Sequence, residues 1–183
     1  GDVYKRQSAD WMRAVTDKEF IEVFSHTIFS SFVATATAIV FGFIFAYGVN
    51  YTNMPCKRFF QVVALLPTMA PSVVSGLAFI MLFGRRGFIT WEMLHLKVDL
   101  YGPVGLWAAQ TIAFFPLAYI TISGVLKNIS PNLELAAQNL GAKGWYLFRT
   151  VTLRLATPGL ASAFLLVGIN SLADFGNPML VGG

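Results

Sequence analysis

SPNLELAAQNLGAKGWYLFRTVTLRLATPG, residues Ser130 to Gly159, is the stretch whose reading decides the fold. It is the one long interval rich in polar residues between segments that are otherwise strongly apolar. Leu133, Ala136, Ala137 and Leu140 fall at i, i+3, i+4 and i+7, which lays a narrow apolar stripe along one face of a short helix. Ser130 is placed to cap that helix, and Pro131 takes the first helical position, where its missing N–H costs nothing. Glu134 stands at the first turn, where the helix dipole favours negative charge. Gly141 fits the left-handed residue that closes the helix. Beyond it, Trp145, Phe148 and Thr152 space out a second short amphipathic run, and Pro158 opens the next apolar segment. The interval reads as two small helices joined at a glycine.

Of the 183 residues, 56% are hydrophobic and 12% charged, where soluble domains carry about 25% charged residues. The class this defines is an all-α, polytopic membrane protein, with lipid as its first partner. A net charge of +4 is too small to point to nucleic acid and suits basic loops flanking the membrane. The single cysteine, Cys56, forms no intrachain disulfide and fits a small apolar filler near a helix end. Residues 1–7 end in DVYKRQ, which reads as the translation of a sequencing adapter, and they are set aside. The last residues are Gly182 and Gly183, with no polar tail, so a fragment is expected.

The remaining chain divides by charge. Residues 8–22 mix acids and bases with Trp11, Met12, Val15 and Phe20, as an amphipathic approach to the membrane or a short loop helix does. Residues 23–49 hold no charge besides a titratable His26 and are long enough to span, since a crossing needs about 20 apolar positions. Thr27, Ser30, Ser31, Thr35, Thr37 and Gly42 give this span small surfaces for a neighbouring helix. His26 reads as an interfacial residue rather than a ligand. Residues 59–83 form a second span containing Pro67 and Pro71, where the helix either kinks against neighbours or lines a pathway. A polar loop follows, in which Phe88 to Leu96 suits an interfacial position anchored by Trp91. The third span, 103–126, is expected to break at Phe115-Pro116, and a fourth occupies 158–183. The whole of 8–183 is then one membrane domain, with a loop at 127–157. Lys57, Arg58, Lys127, Lys143, Arg149 and Arg154 on the loop side nearly balance Arg13, Lys18, Arg85, Arg86 and Lys97 on the other, so basic residues do not decide orientation.

ELAAQNLGA, Glu134 to Ala142, with Trp145, Phe148, Val151, Thr152, Leu153, Pro158 and Gly159 after it, resembles the cytoplasmic signature loop of binding-protein-dependent permeases of ATP-binding-cassette importers. The matching positions are Glu134, Ala136, Ala137, Gly141, Ala142, Phe148, Leu153 and Pro158. Two residues depart from the pattern: Leu135 stands where a second acid is common, and Arg154 where a proline usually follows the leucine. Residues 50–183, including LYGPVGLWAAQTIAFFPLAYITISGVL and SLADFGNPMLVGG, look most like the ferric-iron branch. Spermidine, thiamine, sulfate and phosphonate permeases share the architecture.

The resemblance implies an inner-membrane permease subunit that imports a solute delivered by a periplasmic binding protein. It implies a second permease half or subunit, and a separate ATPase subunit that holds the ATP, with no cofactor on this chain. It also implies a helix before Ser8 and one or more after Gly183. In such a protein the loop is a coupling helix seated in a groove of the ATPase. Leu133 and Leu140 would fill the groove, Ala136 and Ala137 would allow close approach, and Glu134 would pair with a basic residue of the partner, with Gly141, Ala142 and Phe148 completing the element. The alternative is a helix resting on lipid, but that favours Lys or Arg on the polar face, and this one offers Glu134, Gln138 and Asn139.

For transport itself the sharpest residue is Asp174, about 24 Å along a helix counted from Pro158. A bare carboxylate in hydrocarbon costs about 3 kcal/mol or more. Asp174 therefore either caps the turn at Gly176-Asn177-Pro178 or lines a path, with Asn170 one turn earlier on its face. Pro67 and Pro71 are the other pathway candidates. No glycine-rich phosphate loop, metal-ligand cluster or nucleophile elbow occurs, so the chain reads as a non-enzyme. An intramembrane hydrolase would need a second buried acid, and a non-transporting scaffold is the remaining alternative.

Overall fold

The computed structural model describes residues 18–52, 54–85, 87–93, 95, 102–174 and 176–181. The adapter-like residues 1–7, the approach segment up to Asp17, Lys97, Asp99 and the closing glycines lie outside the described residues. Every regular element within them is helical. Four stretches are long and apolar enough to cross a membrane: Phe24–Tyr51, Val73–Met93, Pro103–Lys127 and Gly144–Ala173.

Helix α1 (Lys18–Tyr51) packs along α4 (Pro103–Lys127), and both pack on α7 (Leu153–Ala173). Small residues set the spacing. Ala34, Ala38 and Ala46 of α1, Ala118 of α4 and Ala156 and Ala163 of α7 are buried along the contact lines. At Gly42 a Cβ would sit 2.8 Å from the Ala118 Cβ and 3.0 Å from the Tyr119 nitrogen, so only glycine lets the two helices meet there. Polar side chains add specific ties. Thr37 and Thr111 share a 2.9 Å hydroxyl contact, the Trp107 indole donates to Thr37 at 3.0 Å, and Asn50 donates to Ser123 at 2.9 Å. Each such bond between membrane helices contributes about 0.6 kcal/mol.

The prolines act in opposite ways. The second apolar segment is broken into α2 (Lys57–Leu65), a 3-10 turn (Leu66–Met69) and α3 (Ser72–Phe83). Pro67 lacks a donor, and Pro71 holds Ala70 extended, with φ −101° and ψ 136°. By contrast, the expected break at Phe115-Pro116 does not occur: α4 is continuous. Only one backbone bond is lost there, and Pro116 is fully buried, with Phe115 edge-on to Phe45 at 5.6 Å. Pro158 likewise does not open its helix but lies inside α7. The Thr157 hydroxyl donates to the Leu153 carbonyl at 2.8 Å beside the gap. A Cβ at the adjacent Gly159 would collide with the Val125 side chain, so the Pro-Gly pair marks a close crossing of α7 and α4 rather than a helix start.

Residues Phe88–Met93 form one π turn against the end of α3, with the Thr90 hydroxyl donating to the Gly84 carbonyl at 2.7 Å. Trp91 and Met93 remain exposed. Cys56 is exposed at the N-terminus of α2 with φ +54°, not buried as filler. After α7 the chain turns at Asp174 into a short helix, α8 (Gly176–Val181), which packs on α3 and α4 around Phe79, Ala109 and Val181. Gly42→Leu is expected to destabilise the bundle by about 1–3 kcal/mol through overpacking. Gly124→Leu, at a site with no atom within 4 Å of the added Cβ, should leave the melting temperature in detergent nearly unchanged.

Candidate functional site

Two regions at opposite ends of the bundle hold the sequence-selected residues. The first is the loop. Helix α5 (Pro131–Asn139) begins after Ser130, whose hydroxyl makes no capping bond; its carbonyl instead accepts from the Leu133 amide at 3.1 Å. The helix ends as the glycine requires. Gly141 has φ +92°, its N–H bonds the Gln138 carbonyl at 2.9 Å, and the Ala142 N–H reaches the Ala137 carbonyl at 3.0 Å. This pair of bonds is the Schellman closure, which satisfies the last carbonyls without a side chain.

The candidate coupling residues divide between two faces. Leu133, Ala136 and Gly141 point to solvent, and Leu140 is 90% exposed. An apolar side chain so bare on an ordered helix is available surface. Ala137 is half-buried and Ala142 buried, on the side facing the bundle. Glu134 is half-buried as well, and its Oε1 accepts a 2.7 Å bond from the Thr152 hydroxyl. Phe148 also turns inward. Its ring stacks on Trp145 at 5.0 Å, meets Tyr47 edge-on at 5.1 Å and lies 6.0 Å from Phe43. Tyr47 in turn stacks on Tyr51 at 4.9 Å. This aromatic cluster fastens α6 (Gly144–Leu147) and the following π turn (Phe148–Thr152) to the end of α1.

The second region is a cavity of about 590 Å³ between α1, α4 and the end of α7. His26, Ser30, Ser31, Trp107, Gln110, Ser171 and Asp174 are among its lining residues. Asp174 receives a 2.8 Å bond from the Asn177 amide across the turn, and it also lines the cavity. Asn170 does not join it. That residue is exposed, and its amide bonds the Leu166 carbonyl of its own helix at 2.8 Å. Pro67 and Pro71 line none of the described cavities.

Sequence reasoning passed over Gln110 and Ser171. Both are buried at 1% exposure, and each keeps a side-chain oxygen without a protein partner. The signal for Gln110 was present: an amide within the apolar run of LWAAQTIAFF has to face protein or water. No cluster of metal-ligating side chains occurs among the described residues.

The fold and these two regions define a polytopic helical membrane subunit with an ordered loop at one end of its bundle and a cavity at the other. The chain belongs to the family described as the binding-protein-dependent transport system inner membrane component, whose profile matches residues 38–183. It is 35% identical over 172 residues to the ferric transport system permease protein FbpB of Actinobacillus pleuropneumoniae, covering 89% of this chain and 24% of that protein. It is 33% identical to the molybdenum transport system permease protein ModB of Escherichia coli, covering 88% of this chain and 71% of that one. The sulfate transport system permease protein CysT of Escherichia coli is 29% identical, with 96% and 64% covered. The chain spans less than a third of the length of the ferric permeases it matches.

Gly141→Val is expected to cost about 1–2 kcal/mol of local stability, because the left-handed backbone and not crowding opposes the side chain. No atom lies within 4 Å of the added Cβ. Hydrogen exchange at the Gly141 and Ala142 amides should quicken in Gly141→Val and much less in Gly141→Asn, which tolerates that conformation.

Proposed function

We propose that this chain is the membrane-spanning permease part of an ATP-driven importer, moving a solute handed over by a periplasmic binding protein. Ferric iron is the favoured solute. The loop of residues 127–157 is the cytoplasmic coupling element, and ATP is bound and hydrolysed by a separate ATPase subunit. The observation that carries this reading is the solvent-facing stripe of Leu133, Ala136 and Leu140 on a helix that is closed at Gly141 and tied to the bundle from behind. A rigid apolar ridge backed by a folded base suits a groove on another protein. Its neutral flank of Gln138 and Asn139 does not suit a lipid surface.

On the same reading Asp174, which lines the cavity, serves the path at the end remote from the ATPase. Pro67, Pro71 and Asn170 are the other pathway residues of this reading. The preference for iron rests on the ferric permease relatives, and the sulfate and molybdenum permeases are the competing precedents.

The deciding experiment assembles the full-length permease with its ATPase subunit and binding protein in proteoliposomes and measures ATP-dependent uptake of ferric iron, sulfate and molybdate. Uptake without ATP would overturn the importer reading; uptake of an oxyanion in place of iron would replace the solute, and uptake of none of the three would overturn the choice of ferric iron. Leu140→Asp is expected to weaken retention of the ATPase subunit by roughly 2 kcal/mol, about thirtyfold, as loss of an interface anchor does. Asp174→Asn keeps an acceptor for the Asn177 amide and removes the charge. It should lower uptake while shifting the melting temperature by no more than about 2–4 °C, the effect of 1 kcal/mol in a chain this size. Unchanged uptake would leave Asp174 with the turn alone.

A further inference from the structure

The acid of the loop is engaged within its own chain. Glu134 Oε1 accepts the Thr152 hydroxyl at 2.7 Å. Thr152 is 2% exposed, whereas Leu133 and Leu135 on either side of Glu134 are 51% and 55% exposed. Thr152 is the last residue of the π turn that leads into α7. Phe148, the first residue of that turn, packs its ring on Tyr47 at 5.1 Å and Phe43 at 6.0 Å of α1. Bonds to an ionised acceptor are roughly twice as strong as neutral ones. The rest of α5 packs mainly on α6 and the π turn. Its link to α7, and through the Phe148 ring to α1, therefore runs by way of the π turn that this carboxylate holds.

The π turn makes the arrangement possible. A segment bonded i to i+5 carries about one residue more per turn than an α-helix, and such turns are frequent at functional sites. Here the last residue of that turn is directed at the loop helix, although α7 itself lies with the bundle.

We infer that Glu134 is a positioning residue that binds the docking helix to the π turn at the base of α7, a turn packed on α1 through Phe148, so that a displacement of the loop moves both membrane helices as one body. This rests on the coupling role proposed above. It differs in assigning Glu134 to its own bundle and leaving contact with the ATPase to Leu133, Ala136 and Leu140.

The test uses the full-length permease assembled with its ATPase subunit and compares Glu134→Ala, Thr152→Val, Thr152→Ser and the double variant Glu134→Ala/Thr152→Val. Co-purification of the ATPase subunit and solute moved per ATP hydrolysed are both read. The ATPase subunit is expected to stay bound in all four. Solute moved per ATP should fall about tenfold in Glu134→Ala and in Thr152→Val, the scale of one lost bond to a charged group. The double variant should be no worse than the poorer single one, since the two residues share one interaction. Thr152→Ser, which keeps the hydroxyl, should restore coupling.

Release of the ATPase subunit by Glu134→Ala while Thr152→Val is silent would overturn the inference and return Glu134 to the partner interface. Additive losses in the double variant would also overturn it. If Glu134→Ala fails to assemble, the Thr152 pair decides alone, and wild-type coupling in Thr152→Val defeats the proposal. A wild-type chain that retains no ATPase subunit defeats the importer reading itself and is recognised before any variant is compared.

Discussion

The structure depends on how closely α1 and α4 approach at Gly42 and Ala118. In lipid there is little hydrophobic force between helices, so association comes from packing and a few polar ties, and packing needs backbones that can meet. A Cβ at Gly42 would overlap Ala118, and the same crowding recurs between Gly159 and Val125 where α7 crosses α4. With α1, α4 and α7 held at glycine and alanine distance, the remaining pieces take fixed places. The broken second segment lies on α4, α8 lies in the angle between α3 and α4, and the loop hangs from the common end of the bundle.

The loop separates what is local in the sequence from what is not. Its helix, its closing glycine and its apolar stripe follow from spacing and from backbone preference, and these are local properties. Which side of the helix faces inward is not local. The resemblance implies a basic partner residue for Glu134, whereas its observed acceptor role depends on Thr152, eighteen positions away. Phe148 was grouped with the docking residues by the family pattern, yet its ring is enclosed by Phe43, Tyr47 and Trp145.

The prolines teach the same lesson from the other direction. Pro67, Pro71, Pro116 and Pro158 are alike in sequence terms, each being a missing donor in an apolar run. Pro67 and Pro71 stand four residues apart and break the helix, whereas Pro116 and Pro158 stand alone in α4 and α7, two of the three helices that pack most closely, and are absorbed. The cavity was half legible for a related reason. Asp174 stands out in any apolar run, but Gln110 and Ser171 become notable only when α4 and α7 bring them to one space with oxygens left over.

The π turn at Phe148–Thr152 bears on how such a loop can change length. It holds one residue beyond what an α-helix needs between Leu147 and Leu153, so the angular phase of α7 is offset from that of α6 by about 100°, one residue's rotation. A single helical wheel drawn from Trp145 into the membrane therefore misplaces everything after the turn. The same surplus is a reserve of slack. Removing one residue there turns the widened turn into an ordinary one and leaves the aromatic anchor on one side and the lipid-embedded helix on the other each in its original orientation.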